Sequence, residues 1–158
     1  MHSELVQLLS EIKERHFKLV LLVDTNPLER SGLLAQLAKD CSASVTQVGR
    51  ALSPRLAELT VRARPLEVVT VLEELARDFT TEDILFLDGL EVLFDDSLKI
   101  DPLDALKRLS LRRRIFAAWP GESARGRLTY AKVGHPEFRD CAPDGVLLYP
   151  RSPLQDLK

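Results

Sequence analysis

The sequence predicts an α/β fold: a three-layer sandwich on a mainly parallel five-stranded sheet, with an added N-terminal helix. Short apolar runs alternate along the chain with segments whose leucines recur at helical spacing, the order that builds one doubly wound sheet. Two of the runs, LVLLV (19–23) and ILFL (84–87), are apolar on both faces, as strands covered from both sides are. A length of 158 residues suffices for one substantial core, so residues 1–158 are read as a single domain.

Each element has its own signal. Leu5, Leu8, Leu9 and Ile12 make one apolar stripe with Ser3 as N-cap, placing a helix within residues 1–16 that packs across the sheet or along its edge. Strand 18–23 follows, and beyond a polar turn Leu33, Leu34, Leu37 and Ala38 mark a second helix. Residues 45–48 are a short β-branched strand. Leu52, Leu56 and Leu59 continue at helical spacing, with Ser53-Pro54 suited to a helix start. Arg64-Pro65 interrupts, because the residue before proline is pushed out of the helical region; Val68, Leu72, Leu75 and Phe79 then resume the period. Strand 84–87 ends in Asp88-Gly89. After the loop 91–100, Asp101 caps a helix with Pro102 in its first position and Asp104 near its positive end. Residues 115–119 form a strand closed by Pro120-Gly121, and residues 128–131 alternate so as to pair with it. Asp144-Gly145 leads into a last strand, 146–149, and residues 150–158 form a short tail.

Composition narrows the function classes. Charged residues at 29% against 45% hydrophobic exclude a disordered or fibrous chain. A net charge of −2 gives no general attraction to nucleic acid or to acidic membranes, so a DNA role needs a local basic patch. No apolar run approaches the roughly 20 residues of a membrane span, so no membrane partner is expected. Cys41 and Cys141, 100 residues apart with no ligand spacing, read as reduced thiols of a cytoplasmic protein.

The chemistry centres on residues 24–31, DTNPLERS, between an apolar strand and a helix. A P-loop needs G-x-x-x-x-G-K-[ST] there, so that backbone N–H groups close on phosphates and a lysine neutralises them. Here Asp24 and Glu29 stand in the glycine places, Arg30 in the lysine place and Ser31 in the hydroxyl place. A carboxylate beside polyphosphate repels it, Pro27 removes a donor, and Arg30 restores a cation of different shape. The expected state is a vestigial nucleotide cleft in which Arg30 pairs with Asp88 or Glu29. Asp88, ending an apolar strand, occupies the place of a Walker B acid and is the candidate Mg²⁺ ligand. Glu91 is the candidate catalytic residue for orienting water, although Gly89 stands where such a glutamate more often follows the aspartate. No cofactor is assigned; ATP and Mg²⁺ are the ligands the cleft suggests. Arg112, Arg113 and Arg114 are a candidate patch for an acidic partner or DNA, against the plainer reading as cations at a helix C-terminus. Arg125, Arg127 and Arg139 could reach a neighbouring subunit's phosphate, with solvated surface as the default. Three histidines and two distant cysteines assemble no metal or nucleophile constellation. A response-regulator receiver domain would use the same acids, but Ala117-Ala118-Trp119 offers no hydroxyl, no lysine follows at a strand end, and two helical segments stand where a receiver has one.

From Leu52 to Arg139 the chain resembles BrxF, the family of small P-loop-containing proteins of type 3 BREX (bacteriophage exclusion) systems. The resemblance is carried by ALSPRLAEL (51–59), RPLEV (64–68), ILFLDGLEVLFDDSLKIDPLDALKRLS (84–110), AAWPG (117–121) and RLTYAKVGHPEFR (127–139). It implies an additional-strand P-loop ATPase fold of ASCE/AAA-like type and service beside other BREX proteins, with Asp88 as the Walker-B-type acid and Ser31 as the P-loop hydroxyl. Asp24, Glu29 and Arg30 depart from the general glycine–lysine pattern of P-loops. The resulting expectation is an accessory docking subunit for protein or DNA. The alternatives are an active ATPase completed by an oligomeric neighbour, and a DNA-binding module that a sequence pI near 5.9 disfavours.

Overall fold

The computed structural model describes residues 2–23, 26–79, 84–124, 126–131 and 134–149. Along the chain, α1 (His2–Ile12) leads into β1 (Leu19–Leu22), α2 (Pro27–Asp40), β2 (Val45–Gln47), α3 (Val48–Ala57), α4 (Arg64–Phe79), β3 (Ile84–Asp88), α5 (Pro102–Leu109) and β4 (Arg114–Ala118). Three short strands, β5 (Glu122–Ala124), β6 (Arg127–Tyr130) and β7 (Arg139–Cys141), precede β8 (Leu147–Tyr149). Five strands form a wholly parallel sheet in the order β2-β3-β4-β1-β8. The fold is α/β with helices on both faces, as the alternating runs predict.

Alternation along the strands sends their side chains into two cores. Val20, Leu22, Phe86 and Phe116 meet Leu5, Leu8 and Ile12 of α1 and Leu34 and Leu37 of α2. Leu19, Leu21, Leu85, Leu87, Ile115 and Ala117 face the other way, onto Leu52, Leu56, Val68, Leu72 and Leu106 of α3, α4 and α5. Each fully buried leucine here contributes about 1.5–3 kcal/mol, which is why strands apolar on both faces are stable only at the sheet's middle. The helix over residues 1–16 is α1, docked by its predicted stripe on the α2 side of the sheet and tied by Arg114 Nη1 donating to Leu9 O at 3.0 Å.

Three sequence expectations change. Ser53-Pro54 does not start a helix: α3 runs straight out of β2, with Pro54 inside it. The Gly49 amide donates to Gly89 O at 3.2 Å, fixing the first turn, and Val48, Leu52 and Leu56 share one buried face that offsets the bond lost at proline. Arg64-Pro65 does not interrupt a helix but opens α4, because proline in a first turn forfeits no intrahelical bond; Arg64 Nε donates to Leu56 O at 2.9 Å. Residues 128–131 do not pair with β4. Instead β6 pairs antiparallel with β5 and β7 in a separate three-stranded sheet. Pro120-Gly121 ends the parallel sheet, and the backbone at Gly121 lies so close to Thr129 that a Cβ there would overlap the Thr129 carbonyl oxygen. The small sheet is held over the carboxyl end of β4 by Trp119 Nε1 donating to Thr129 O at 3.0 Å and by Phe94, which packs on Trp119 and stacks on Tyr130. The predicted Asp101 cap is present, accepting from the Asp104 amide at 3.2 Å. The tail 150–158 lies outside the described residues.

Candidate functional site

The carboxyl ends of β1 and β3 bring the first turns of α2 against Asp88, where ligands of open parallel sheets bind. Ser31, in the second turn of α2, donates its hydroxyl to Asp88 Oδ2 at 2.6 Å. The Gly89 amide donates to Asp88 Oδ1 at 2.8 Å. Both carboxylate oxygens therefore have donors, and the shorter bond has the length of a charge-assisted hydroxyl–carboxylate contact. Gly89 is the turn's necessary residue: its φ of 67° is left-handed, and a Cβ would sit 3.0 Å from Gln47 Oε1.

Arg30 is the second feature. Its side chain is only 7% exposed, and Nη1 donates to Gly121 O at 3.1 Å, linking α2 to the junction between β4 and the small sheet. The expected pair of Arg30 with Asp88 or Glu29 is not formed among the described residues. Glu29, one residue earlier on the helix, is exposed while Arg30 is buried, and Asp88 is already engaged by Ser31 and Gly89. Arg30 thus serves as a strut. It is not presented as a cation to the cleft.

The helix start is likewise occupied by the chain itself. Asn26 caps α2 by accepting the Glu29 amide at 2.9 Å, its carbonyl accepts the Arg30 amide at 3.1 Å, and Pro27 has no amide to offer. Two of the donors that a P-loop would aim at phosphate, the Glu29 and Arg30 amides, are taken up by an ordinary capped helix. Asn26 and Gly121 escaped the sequence reading. The spacing Asn26-Pro27-Leu28-Glu29, an N-cap followed by glutamate at N3, was the signal for the first. Nothing local marks Gly121 beyond a turn.

The other predicted residues separate. Asp24 lies outside the described residues, with Thr25. Glu91 is exposed in a short 3₁₀ turn (Leu90–Phe94), where its charge is felt by Tyr130. That phenol's pKa is raised chiefly by burial, then by Glu137 and Glu91. Arg112, Arg113 and Arg114 do not form one patch. Arg114 opens β4 and reaches under the sheet to α1, whereas Arg112 and Arg113 line a groove with Glu73, Arg77, Arg108, Leu109 and Leu111. Arg127 is paired with Asp140 at 2.7 Å across β6 and β7, Arg139 donates to Phe138 O, and Arg125 is outside the described residues. His135 Nδ1 accepts the Glu137 amide within a turn. Cys41 and Cys141 are free.

The described residues fit a bound nucleotide poorly: the Glu29 and Arg30 amides are bonded to Asn26, the Arg30 guanidinium is turned to Gly121, and the Ser31 hydroxyl is bonded to Asp88. No group of three His, Cys, Asp or Glu side chains able to hold a metal exists among them, and none of their helices is long and apolar enough to cross a membrane. Comparison with family models, with curated proteins and with solved structures finds no match.

Proposed function

We propose that this chain is an accessory component of a BREX-type phage-defence system, a P-loop NTPase-like domain with a degenerate Walker A loop that works as a docking subunit for protein or DNA. The sheet order supports the scaffold, since β4 lies between β1 and β3, the arrangement of additional-strand P-loop proteins. The observation that carries the docking reading is Ser31 Oγ on Asp88 Oδ2 at 2.6 Å while the neighbouring Arg30 is spent on Gly121 O. The hydroxyl and the acid of the cleft are engaged with each other. A cytoplasmic setting beside other BREX proteins rests on the resemblance of residues 52–139 and on two free cysteines. Titration with ATP and Mg²⁺ by calorimetry tests this: no saturable heat is expected, and stoichiometric binding at micromolar ATP overturns it.

A second reading, an active ATPase completed by a neighbouring subunit, draws on the same pair, because a hydroxyl and an acid in these places are what a Mg²⁺–nucleotide site retains. It predicts hydrolysis that rises with protein concentration and is abolished by Asp88→Ala.

A further inference from the structure

At the amino ends of the strands, opposite the Ser31–Asp88 cleft at their carboxyl ends, the carboxyl ends of α4 and α5 and the residues leading into β4 enclose a groove of about 290 Å³. Arg77, Arg108, Arg112 and Arg113 line it with Leu109 and Leu111, against a single acid, Glu73. Arg108 is engaged by Asp104 at 3.0 Å. Arg113 Nε is shut off from solvent with no acceptor among the described residues. Some of this charge answers the negative ends of two helices. Four guanidinium groups around one concavity exceed that need, and they call for carboxylates or phosphates.

The other face of the sheet offers a matching surface. The inner stripe of α1 is buried by its own chain, with Leu5, Leu8, Leu9 and Ile12 between 0% and 7% exposed. Its outer positions Glu4, Gln7 and Glu11 recur at i, i+3 and i+7, Glu11 being already engaged within the chain, and Glu14 continues the ridge just past the helix; all four are exposed. The ridge belongs to a helix on one face of the sheet and the groove to helices on the other. We infer that the arginine groove receives the acidic ridge of α1 from a second copy of this chain, head to tail. Such a contact uses different surfaces on the two partners and propagates until a ring closes or an open chain forms. A duplex is a poorer occupant, because the chain as a whole is negative and Glu73 sits in the lining.

The inference rests on the docking reading of the basic turn, yet its failure leaves the calorimetric result at the cleft untouched. Sedimentation velocity of the full chain over a wide concentration range decides it. Association is expected at about 0.01 M salt and its loss at about 1 M, as the screening length falls from roughly 30 Å to 3 Å. Arg77→Glu with Arg112→Glu, and separately Glu4→Arg with Glu14→Arg, each give a monomer with an unchanged circular dichroism spectrum. Mixed in equal amounts the two variants form a one-to-one dimer and nothing larger, because one intact ridge then meets one intact groove. A wild-type chain that stays monomeric at low salt overturns the inference, as does association indifferent to both reversals or a mixture without the dimer. A monomer that instead binds a short DNA duplex through the groove, and loses it on Arg77→Glu with Arg112→Glu, overturns it in favour of nucleic acid.

Discussion

Replacing Gly121 with alanine puts a methyl carbon on top of the Thr129 carbonyl oxygen, 2.8 Å from the carbonyl carbon and 2.9 Å from the Tyr130 Cα. All three neighbours are backbone, so no side-chain rotation relieves the contact. Carbon atoms pack at about 3.5–4.0 Å, so the Gly121 backbone and β6 must part by roughly 1 Å. Two hydrogen bonds span this junction, Trp119 Nε1 to Thr129 O at 3.0 Å and Arg30 Nη1 to Gly121 O at 3.1 Å. An opening of about 1 Å carries both beyond useful length. The neutral bond is worth about 0.5–1.5 kcal/mol and the charged one about 1.5–3 kcal/mol, to which overpacking adds about 1–3 kcal/mol. The sum, on the order of 3–7 kcal/mol, corresponds to a melting temperature lower by at least about 6 °C in a domain of this size. Trp119 is the chain's one tryptophan, so its fluorescence reports the same junction without interference. A Gly121→Ala variant melting within about 2 °C of wild type, with unchanged Trp119 emission, refutes the close approach of the two sheets.

Three further outcomes follow from the same contacts. In a double-mutant cycle, Ser31→Ala and Asp88→Asn couple by about 1–2 kcal/mol in chemical denaturation, since each removes one end of a charge-assisted bond; additive losses count against the pair. Arg30→Leu leaves Gly121 O without its donor, costing about 1–3 kcal/mol less the relief of not burying a charge, and leaves any heat with ATP unchanged; unchanged melting with a changed ATP response speaks for a nucleotide role. The Asp95 carboxyl is held below its ordinary pKa by the Ser97 hydroxyl and amide. A depressed folded-state pKa supplies stability that is present above the unfolded value and lost as pH falls through the folded one. Asp95→Ala is therefore destabilising at neutral pH, the deficit starting to shrink as pH falls past about 3.8 and vanishing only below the depressed folded-state value. A deficit that persists in strong acid contradicts this.

The central strands were legible because burial on both faces leaves a mark in composition: residues 19–23 and 84–87 could hardly be anything else. The α5 start was legible from Asp101 and Pro102, whose preferences are local. The proline dipeptides misled for the opposite reason. Pro54 and Pro65 report a missing amide, and whether that breaks or opens a helix depends on what packs beside it: the Gly49–Gly89 contact for one and Leu56 O for the other. The small sheet was invisible because β6 finds its partners by a turn at Gly121 that only close backbone contact explains. At the cleft the structure brings Ser31 onto Asp88 but pairs Arg30 with neither acid. Arg30 and Asp88 attract each other on paper, but helix phase decides: Ser31 faces the acid, and Arg30, one position earlier, faces the β4 junction. The arginines at 112–114 were divided by strand geometry, since Arg114 already belongs to β4 and passes to the α1 side.

The state of the helix start after β1 is read most directly by the backbone amide resonances of Glu29, Arg30, Ser31 and Gly89 in a titration with Mg²⁺ and ATP. With Asn26 capping α2 and Ser31 bonded to Asp88, these four signals hold their positions apart from the drift that salt alone produces. Saturable shifts concentrated on them, accompanied by release of the Ser31 hydroxyl from Asp88, contradict a cleft closed by its own residues.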